Sequence, residues 1–322
     1  MRFFFIAVIS MTNVAIVFPG QGSQSVGMMT AWNDYQSIAE NVYSQASEAL
    51  GYDLWKIASD GPESELNQTH ITQPAMLCAG VACWQITQQS NALPEPKMMA
   101  GHSLGEYTAL VCANSMDLSS AVKLVAKRGE LMQSAVAVGE GSMAAIIGLD
   151  DEDVIRACEI VKEGIVEAVN FNAPGQVVIA GNKSAVETAM ANAKILGAKR
   201  ALPLPVSVPS HCSLMREAAD QLKEALDAVD LVMPGVPVVH NQNASIASST
   251  DEIRDLLKKQ LYQPVKWVES VQAIHASGID TLVECGPGKV LTGLTRRIEK
   301  SMQAQAVFDA ASLQKTIESF SE

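Results

Sequence analysis

The chain has 322 residues, 48% hydrophobic and 18% charged, which defines a globular protein of one large domain, or a large one with a small partner, and excludes a disordered tail. Lys and Arg number 23 against 35 Asp and Glu, and the resulting net charge of −12 excludes a general nucleic-acid binder, which needs a basic face. The six cysteines (Cys78, Cys83, Cys112, Cys158, Cys212 and Cys285) show no C-x-x-C and no ligand spacing, so they read as buried reduced thiols of a cytoplasmic protein with no metal site.

In chain order, Arg2 and the run Phe3–Ile9 look like the start of a secretory signal, but the run is too short to span a membrane and no small-x-small cleavage site follows. Met11 then opens a segment that leads into a complete strand, Val14–Phe18. Residues 1–10 are therefore expected to be an upstream extension or a start-site artefact. Helices fill the chain to about Gln89, followed by a short strand at Lys97–Ala100, a helix over Glu106–Asn114 and another over Ser120–Val138. Strands alternating with helices predict an α/β domain with a largely parallel sheet. At Gly139–Ser142 the order changes. Met143–Gly148, Asp151–Lys162, Ile165–Asn170, Gln176–Gly181, Ser184–Leu196 and Ala198–Pro203 read strand, helix, strand, strand, helix, strand. That βαββαβ order is the ferredoxin-like unit, here over 139–208 and inserted into a large domain of 11–138 and 209–322. After His211 come a helix to about Asp230, a strand at Val236–Val239, helices at Asp251–Leu261 and Val268–Ala276, the strand Thr281–Glu284 and a closing helix from Val290.

The pentapeptide Gly101-His102-Ser103-Leu104-Gly105 reads G-x-S-x-G and sits where the second strand gives way to a helix. That context is the nucleophile elbow, in which a serine on a sharp turn is pushed toward substrate beside the free N–H groups of a helix start. The pattern alone does not separate an active nucleophile from a glycine-rich turn. A serine nucleophile needs a base, and the chain has His70, His102, His211, His240 and His275. His102 is next to the serine, where side chains diverge, and reads as a brace for the elbow. His70 falls in a polar loop and His275 on a surface helix. His240 ends an apolar strand and stays an alternative with a structural role in view. His211, in Pro209-Ser210-His211 before a helical stretch, is the preferred base, because a helix N-terminus keeps imidazole neutral. No acid follows in the hydrolase order, so a Ser–His dyad is expected, with a carbonyl or amide orienting the ring.

Phe18-Pro19-Gly20-Gln21-Gly22-Ser23-Gln24 follows the first strand. Its third glycine position is Ser25, so the dinucleotide fingerprint fails. It reads either as a loop aiming N–H groups at the site, which with Leu104 N–H makes an oxyanion hole, or as a tight polar turn. On the helix after the elbow, projection at about 100° per residue puts Arg128 inside an apolar arc with Ala121, Leu124, Val125, Met132, Ala135 and Val136. A buried arginine needs a carboxylate. An internal partner such as Glu106 and a substrate carboxylate held by the guanidinium fork both satisfy that need.

These motifs, with Thr72-Gln73-Pro74-Ala75, Glu106-Tyr107, Asn172-Ala173-Pro174-Gly175-Gln176, Val208-Pro209-Ser210-His211, Gln260-Leu261-Tyr262-Gln263-Pro264 and Gly286-Pro287-Gly288-Lys289, resemble the malonyl-CoA:acyl carrier protein transacylase family from about Met11 to the last helix. The resemblance implies an α/β-hydrolase-like core with an inserted ferredoxin-like subdomain. It implies Ser103 as nucleophile, His211 as base then acid, Gln21 and Leu104 N–H as oxyanion hole, Arg128 as the ligand of the malonate carboxylate, and backbone oxygen near Gln260 as the group orienting His211. Malonyl would pass from CoA to Ser103, then to the phosphopantetheine thiol of acyl carrier protein, with no cofactor, supplying fatty acid biosynthesis in the cytoplasm. A monomer without membrane or nucleic-acid partners is expected. The carrier protein is acidic, so docking needs a local basic patch on this acidic chain. Lys194, Lys199, Arg200, Lys289, Arg296 and Arg297 are the candidates, with Lys289, Arg296 and Arg297 preferred. A serine hydrolase or thioesterase with the same elbow, a polyketide extender-loading acyltransferase, and a carrier-binding scaffold with a dead site are the competing readings. The small Ser210 before His211 leaves room for a branched malonyl group.

Overall fold

The computed structural model describes residues 13–91, 93–206 and 208–321. The expectation for residues 1–10 lies outside them. In chain order the strands are β1 (Val14–Phe18), β2 (Met98–Gly101), β3 (Gly141–Ile147), β4 (Val166–Ala173), β5 (Gln176–Asn182), β6 (Arg200–Pro203), β7 (Val238–Val239), β8 (Thr281–Cys285) and β9 (Gln303–Val307). Five of them form one parallel sheet in the order β7-β2-β1-β8-β9. All five residues of β1 are buried, as a central parallel strand covered on both faces requires. Strand alternation sends Val14, Ile16 and Phe18 into one core and Ala15 and Val17 into another. The first core packs under the helices Gln36–Leu50, Thr69–Gln89, Leu104–Cys112 and Leu118–Ser134. The second packs under Trp267–Ala276 and Val290–Ile298.

β3 to β6 form a separate antiparallel sheet, order β4-β5-β3-β6, with the helices Asp151–Glu159 and Lys183–Ile195 packed on it around their own apolar cluster. That is the βαββαβ unit read from the sequence, with ends shifted by a few residues. The fold is thus an α/β-hydrolase-like core carrying a ferredoxin-like subdomain. β4 is tied back to the large sheet's side of the molecule, because Phe171 N–H donates to Val265 O (3.0 Å) and Val265 N–H donates to Val169 O (2.8 Å).

The helix expected over 120–138 is Leu118–Ser134, started by the Asp117 carboxylate accepting from Ser120 N–H. The helix from Val290 does not close the fold, since β9 and the helix Ala310–Ser321 follow it. β9, Gln303-Ala304-Gln305-Ala306-Val307, lies at the sheet edge with two buried residues, so its sequence lacks a strong apolar signal. His70 lies in the first turn of the helix Thr69–Gln89 rather than in a loop. All six cysteines are buried and unpaired.

Candidate active site

Ser103 sits between the end of β2 and the helix Leu104–Cys112 at φ 52°, ψ −106°, a backbone that a side-chain-bearing residue adopts only under constraint. The flanking glycines make the turn possible. A Cβ on Gly101 would lie 1.9 Å from the Gly105 carbonyl, and one on Gly105 would lie 2.0 Å from Phe18 O. Side chains hold the strained turn: Asn241 Oδ1 accepts from Ser103 N–H (2.7 Å), Asn241 Nδ2 donates to Gly101 O (2.7 Å), and Gln260 Nε2 donates to Ser103 O (3.0 Å).

The structure brings Ser103 and His211 together, with Ser103 Oγ 2.8 Å from His211 Nε2. Nδ1 lies 2.6 Å from Gln260 O, an acceptor only, so Nδ1 carries the proton and Nε2 is the acceptor for the serine hydroxyl. The orienting group is a backbone carbonyl. His211 itself departs from the sequence reading. It precedes the short 3₁₀ turn Ser213–Met215 and the helix Arg216–Asp227, outside the first helical turn, at φ 66° with its N–H donating to Leu261 O (2.9 Å). Its neutrality has another origin. Burial, then the neighbouring Arg128 charge, pulls its pKa from 6.5 down to about 3.

Arg128 is 1% exposed, as its place in the apolar arc predicts. Nη1 donates to Gln73 Oε1 (2.8 Å), and Nη2 donates to Gln260 Oε1 (3.0 Å) and to Ser103 Oγ (3.2 Å). Its carbon lies 5.3 Å from the centre of the Tyr107 ring. Burial lowers its pKa, but an arginine stays charged. Glu106 is not its ion partner. That carboxylate, fully buried, accepts from His240 Nδ1 (2.7 Å), Asn241 N–H (2.9 Å) and Gln260 Nε2 (2.7 Å). Among the described residues, no carboxylate is in ion-pair contact with Arg128; the buried pair is His240 with Glu106.

Gly20 packs against the elbow, where a Cβ would meet His102 O at 2.5 Å, so the loop carrying Gln21 lies beside Ser103. Leu104 is the first residue of its helix, and its N–H has no intrahelical acceptor. The His102 Nε2 lies 2.8 Å from Asn172 Oδ1 on β4, and its ring packs 5.6 Å from that of Trp267. This fastens the ferredoxin-like sheet to the elbow. His240 is buried on Glu106, and His275 bonds to Ile279 O, so neither reaches the serine. Among the described residues, no group of three or more His, Cys, Asp or Glu could hold a metal ion.

Sequence reading passed over Asn241, and gave no role to Gln73 or Asn172. Gln73 carried a usable signal, a polar residue inside a helix buried on nearly every side. Asn241 carried none, because its importance comes from a contact with Gly101 and Ser103 across 140 and 138 residues.

A strained serine, a neutral histidine and a buried arginine on an α/β-hydrolase-like core define the site of a serine acyl-transfer enzyme. The acyl transferase domain family model matches residues 15–319. The malonyl CoA-acyl carrier protein transacylase of Escherichia coli K12 is 53% identical over 309 residues, covering 96% of this chain and 100% of that protein. That of Salmonella typhimurium is 54% identical over 304 residues, covering 94% and 98%. The crystal structure of an acyl carrier protein S-malonyltransferase from Vibrio cholerae superposes with a TM-score of 0.91 at 52% identity, covering 94% and 99%. A malonyl-transacylase in complex with its type II polyketide acyl carrier protein gives 0.93 at 51%, covering 96% and 100%. The chain belongs to the acyl transferase domain family and, within it, to the malonyl CoA-acyl carrier protein transacylases.

Proposed function

We propose that this chain moves a malonyl group from CoA to the phosphopantetheine thiol of acyl carrier protein through an ester on Ser103, supplying fatty acid biosynthesis. The observation that carries this reading is Arg128, a buried cation with no carboxylate partner among the described residues, whose Nη2 lies 3.2 Å from the Ser103 oxygen. A fixed fork at that distance suits an acyl group ending in a carboxylate. A hydrolase of plain acyl groups has no use for it.

In the first half-reaction Ser103 Oγ attacks the thioester carbonyl as its proton passes to His211 Nε2. The N–H groups of Gln21 and Leu104 hold the oxyanion. Collapse expels the CoA sulfur, which takes the proton from His211, and leaves malonyl-Ser103. In the second half the carrier thiol gives its proton to His211 and attacks the ester, and Ser103 oxygen leaves with that proton. Gln260 O holds the ring in one tautomer throughout. No cofactor enters either half.

Isolated malonyl-Ser103 enzyme should lose its acyl group to holo acyl carrier protein at least about 100-fold faster than to water, read by the mass of both proteins. Hydrolysis that outruns transfer would instead mark a thioesterase. The matching polyketide carrier complex keeps a second carrier in view, a polyketide acyl carrier protein, with the same chemistry at Ser103.

We place residues 11–138 and 209–322 in the large domain and 139–208 in the small one, in a cytoplasmic monomer. No helix among the described residues is long and apolar enough to cross a membrane. For docking the acidic carrier we favour the surface around Lys289, Arg296 and Arg297. Lys289 and Arg296 line a cleft of about 750 Å³ together with Lys300 and Lys315, and among the described residues no acidic side chain lines it. Backbone oxygens already hold one donor of Arg296 (Ala304 O, 2.9 Å), of Arg297 (Pro174 O, 3.2 Å) and of Lys194 (Lys199 O, 2.8 Å), so the preference rests on the charge gathered around the cleft. Lys289→Glu should raise the KM for acyl carrier protein about two- to fivefold at low salt, and the difference should close at high salt. An unchanged KM at low salt would remove Lys289 from the docking surface.

A further inference from the structure

One buried carboxylate stands behind both halves of the site without touching substrate. Glu106 Oε2 accepts from Gln260 Nε2 and from Asn241 N–H, and Oε1 accepts from His240 Nδ1. A side-chain amide has one donor end and one acceptor end. With its NH2 turned to Glu106 Oε2 and Ser103 O, Gln260 can present only its oxygen to Arg128, and does so at 3.0 Å. Were that amide to flip, an NH2 group would face the guanidinium, donor against donor. Asn241 is fixed in the same way. Its backbone N–H is on Glu106, its oxygen takes the Ser103 N–H, and its NH2 takes Gly101 O. His240, 1% exposed, caps the other carboxylate oxygen and holds Glu106 in one rotamer.

We infer that Glu106 is a positioning residue for acyl selectivity: by locking the Gln260 amide it aims Arg128 at the carboxylate end of the acyl group. The inference builds on the reading of Arg128 as the carboxylate ligand, and it assigns the aim of that arginine to a group one residue removed. The lock is geometric. It needs an acceptor at the Oε2 position, and charge alone does not supply it.

That requirement separates three variants. Glu106→Gln keeps an oxygen facing Gln260 and Asn241. Its new NH2 meets His240, whose ring accepts at Nδ1 by moving its proton to Nε2. Glu106→Asp keeps the charge but withdraws the oxygens by about one bond length, roughly 1.5 Å. Glu106→Ala removes them. The readout is the ratio of kcat/KM for malonyl-CoA to that for acetyl-CoA in Ser103 acylation, measured on full-length protein whose fold is checked by its thermal transition. The ratio should fall at least tenfold in Glu106→Ala and Glu106→Asp, and stay within threefold of the parent in Glu106→Gln. If the alanine variant does not fold, the aspartate variant carries the test. A ratio within threefold of the parent in the aspartate variant overturns the inference, whatever the absolute rates, because a merely structural role lowers both substrates alike. So does a fall in the glutamine variant as large as in the aspartate one. A parent enzyme with no preference for malonyl-CoA would overturn the reading of Arg128 itself, which is a different result from any of these.

Discussion

Arg128→Ala should lower malonylation of Ser103 by about 10²–10³-fold, a loss of about 3–4 kcal/mol, while acetylation holds or rises. The size follows from two charge-assisted hydrogen bonds lost beside the buried Arg128 and His211. The asymmetry follows from desolvation. In the parent, an acetyl group bound beside Arg128 leaves a buried cation facing a methyl group, and the alanine variant removes that cost. The acetyl reaction also serves as an internal control for the two glutamines, Gln73 and Gln260, that lose their donor. Comparable losses on both acyl groups would show that Arg128 holds the fold of the site and does not bind a carboxylate.

His211→Ala should lower acylation by about 10²–10⁴-fold, the range for loss of a positioned general base. The pH profile of the parent gives a second check. Free enzyme holds His211 at a pKa of about 3, so kcat/KM should show no acid limb near 6.5 and should persist well below it. Arg128 contributes to that depression, and a bound malonyl carboxylate offsets its charge. The His211 pKa should therefore rise in the complex, and the acid limb of kcat should lie at higher pH than that of kcat/KM. An acid limb of kcat/KM near 6.5, tied to His211, would contradict the buried neutral ring. Stability carries the same sign. The unfolded chain takes up the proton near 6.5 and the folded chain only near 3, so the His211 contribution is full above 6.5 and declines as pH falls toward 3.

The elbow was legible in the sequence because its requirements are local. Glycines on both sides of a serine, after a short strand and before a helix, leave few other structures, and the sub-2 Å clash at Gly101 shows why. Arg128 was legible because a cation in an apolar helical arc violates the binary pattern, and violations of that kind mark either a partner or a ligand. The ferredoxin-like unit was legible from element order. What the sequence hid was long-range. Glu106 could be proposed as a partner for Arg128, but whether it reaches the guanidinium depends on Gln260 standing between them, 154 residues from Glu106 and 132 from Arg128. The source of His211 neutrality was hidden for the same reason, since burial and the Arg128 charge are properties of the assembled site and not of the Pro209-Ser210-His211 segment. β9 was hidden by composition, an edge strand of glutamine and alanine.

The most direct test is the intact mass of the protein after brief incubation with malonyl-CoA, in the parent and in Ser103→Ala. The parent should carry a single malonyl adduct, Ser103→Ala none, and the parent far less adduct when acetyl-CoA is supplied at the same concentration. An adduct that persists in Ser103→Ala, or a parent that acetylates as readily as it malonylates, would contradict selective malonyl transfer through Ser103.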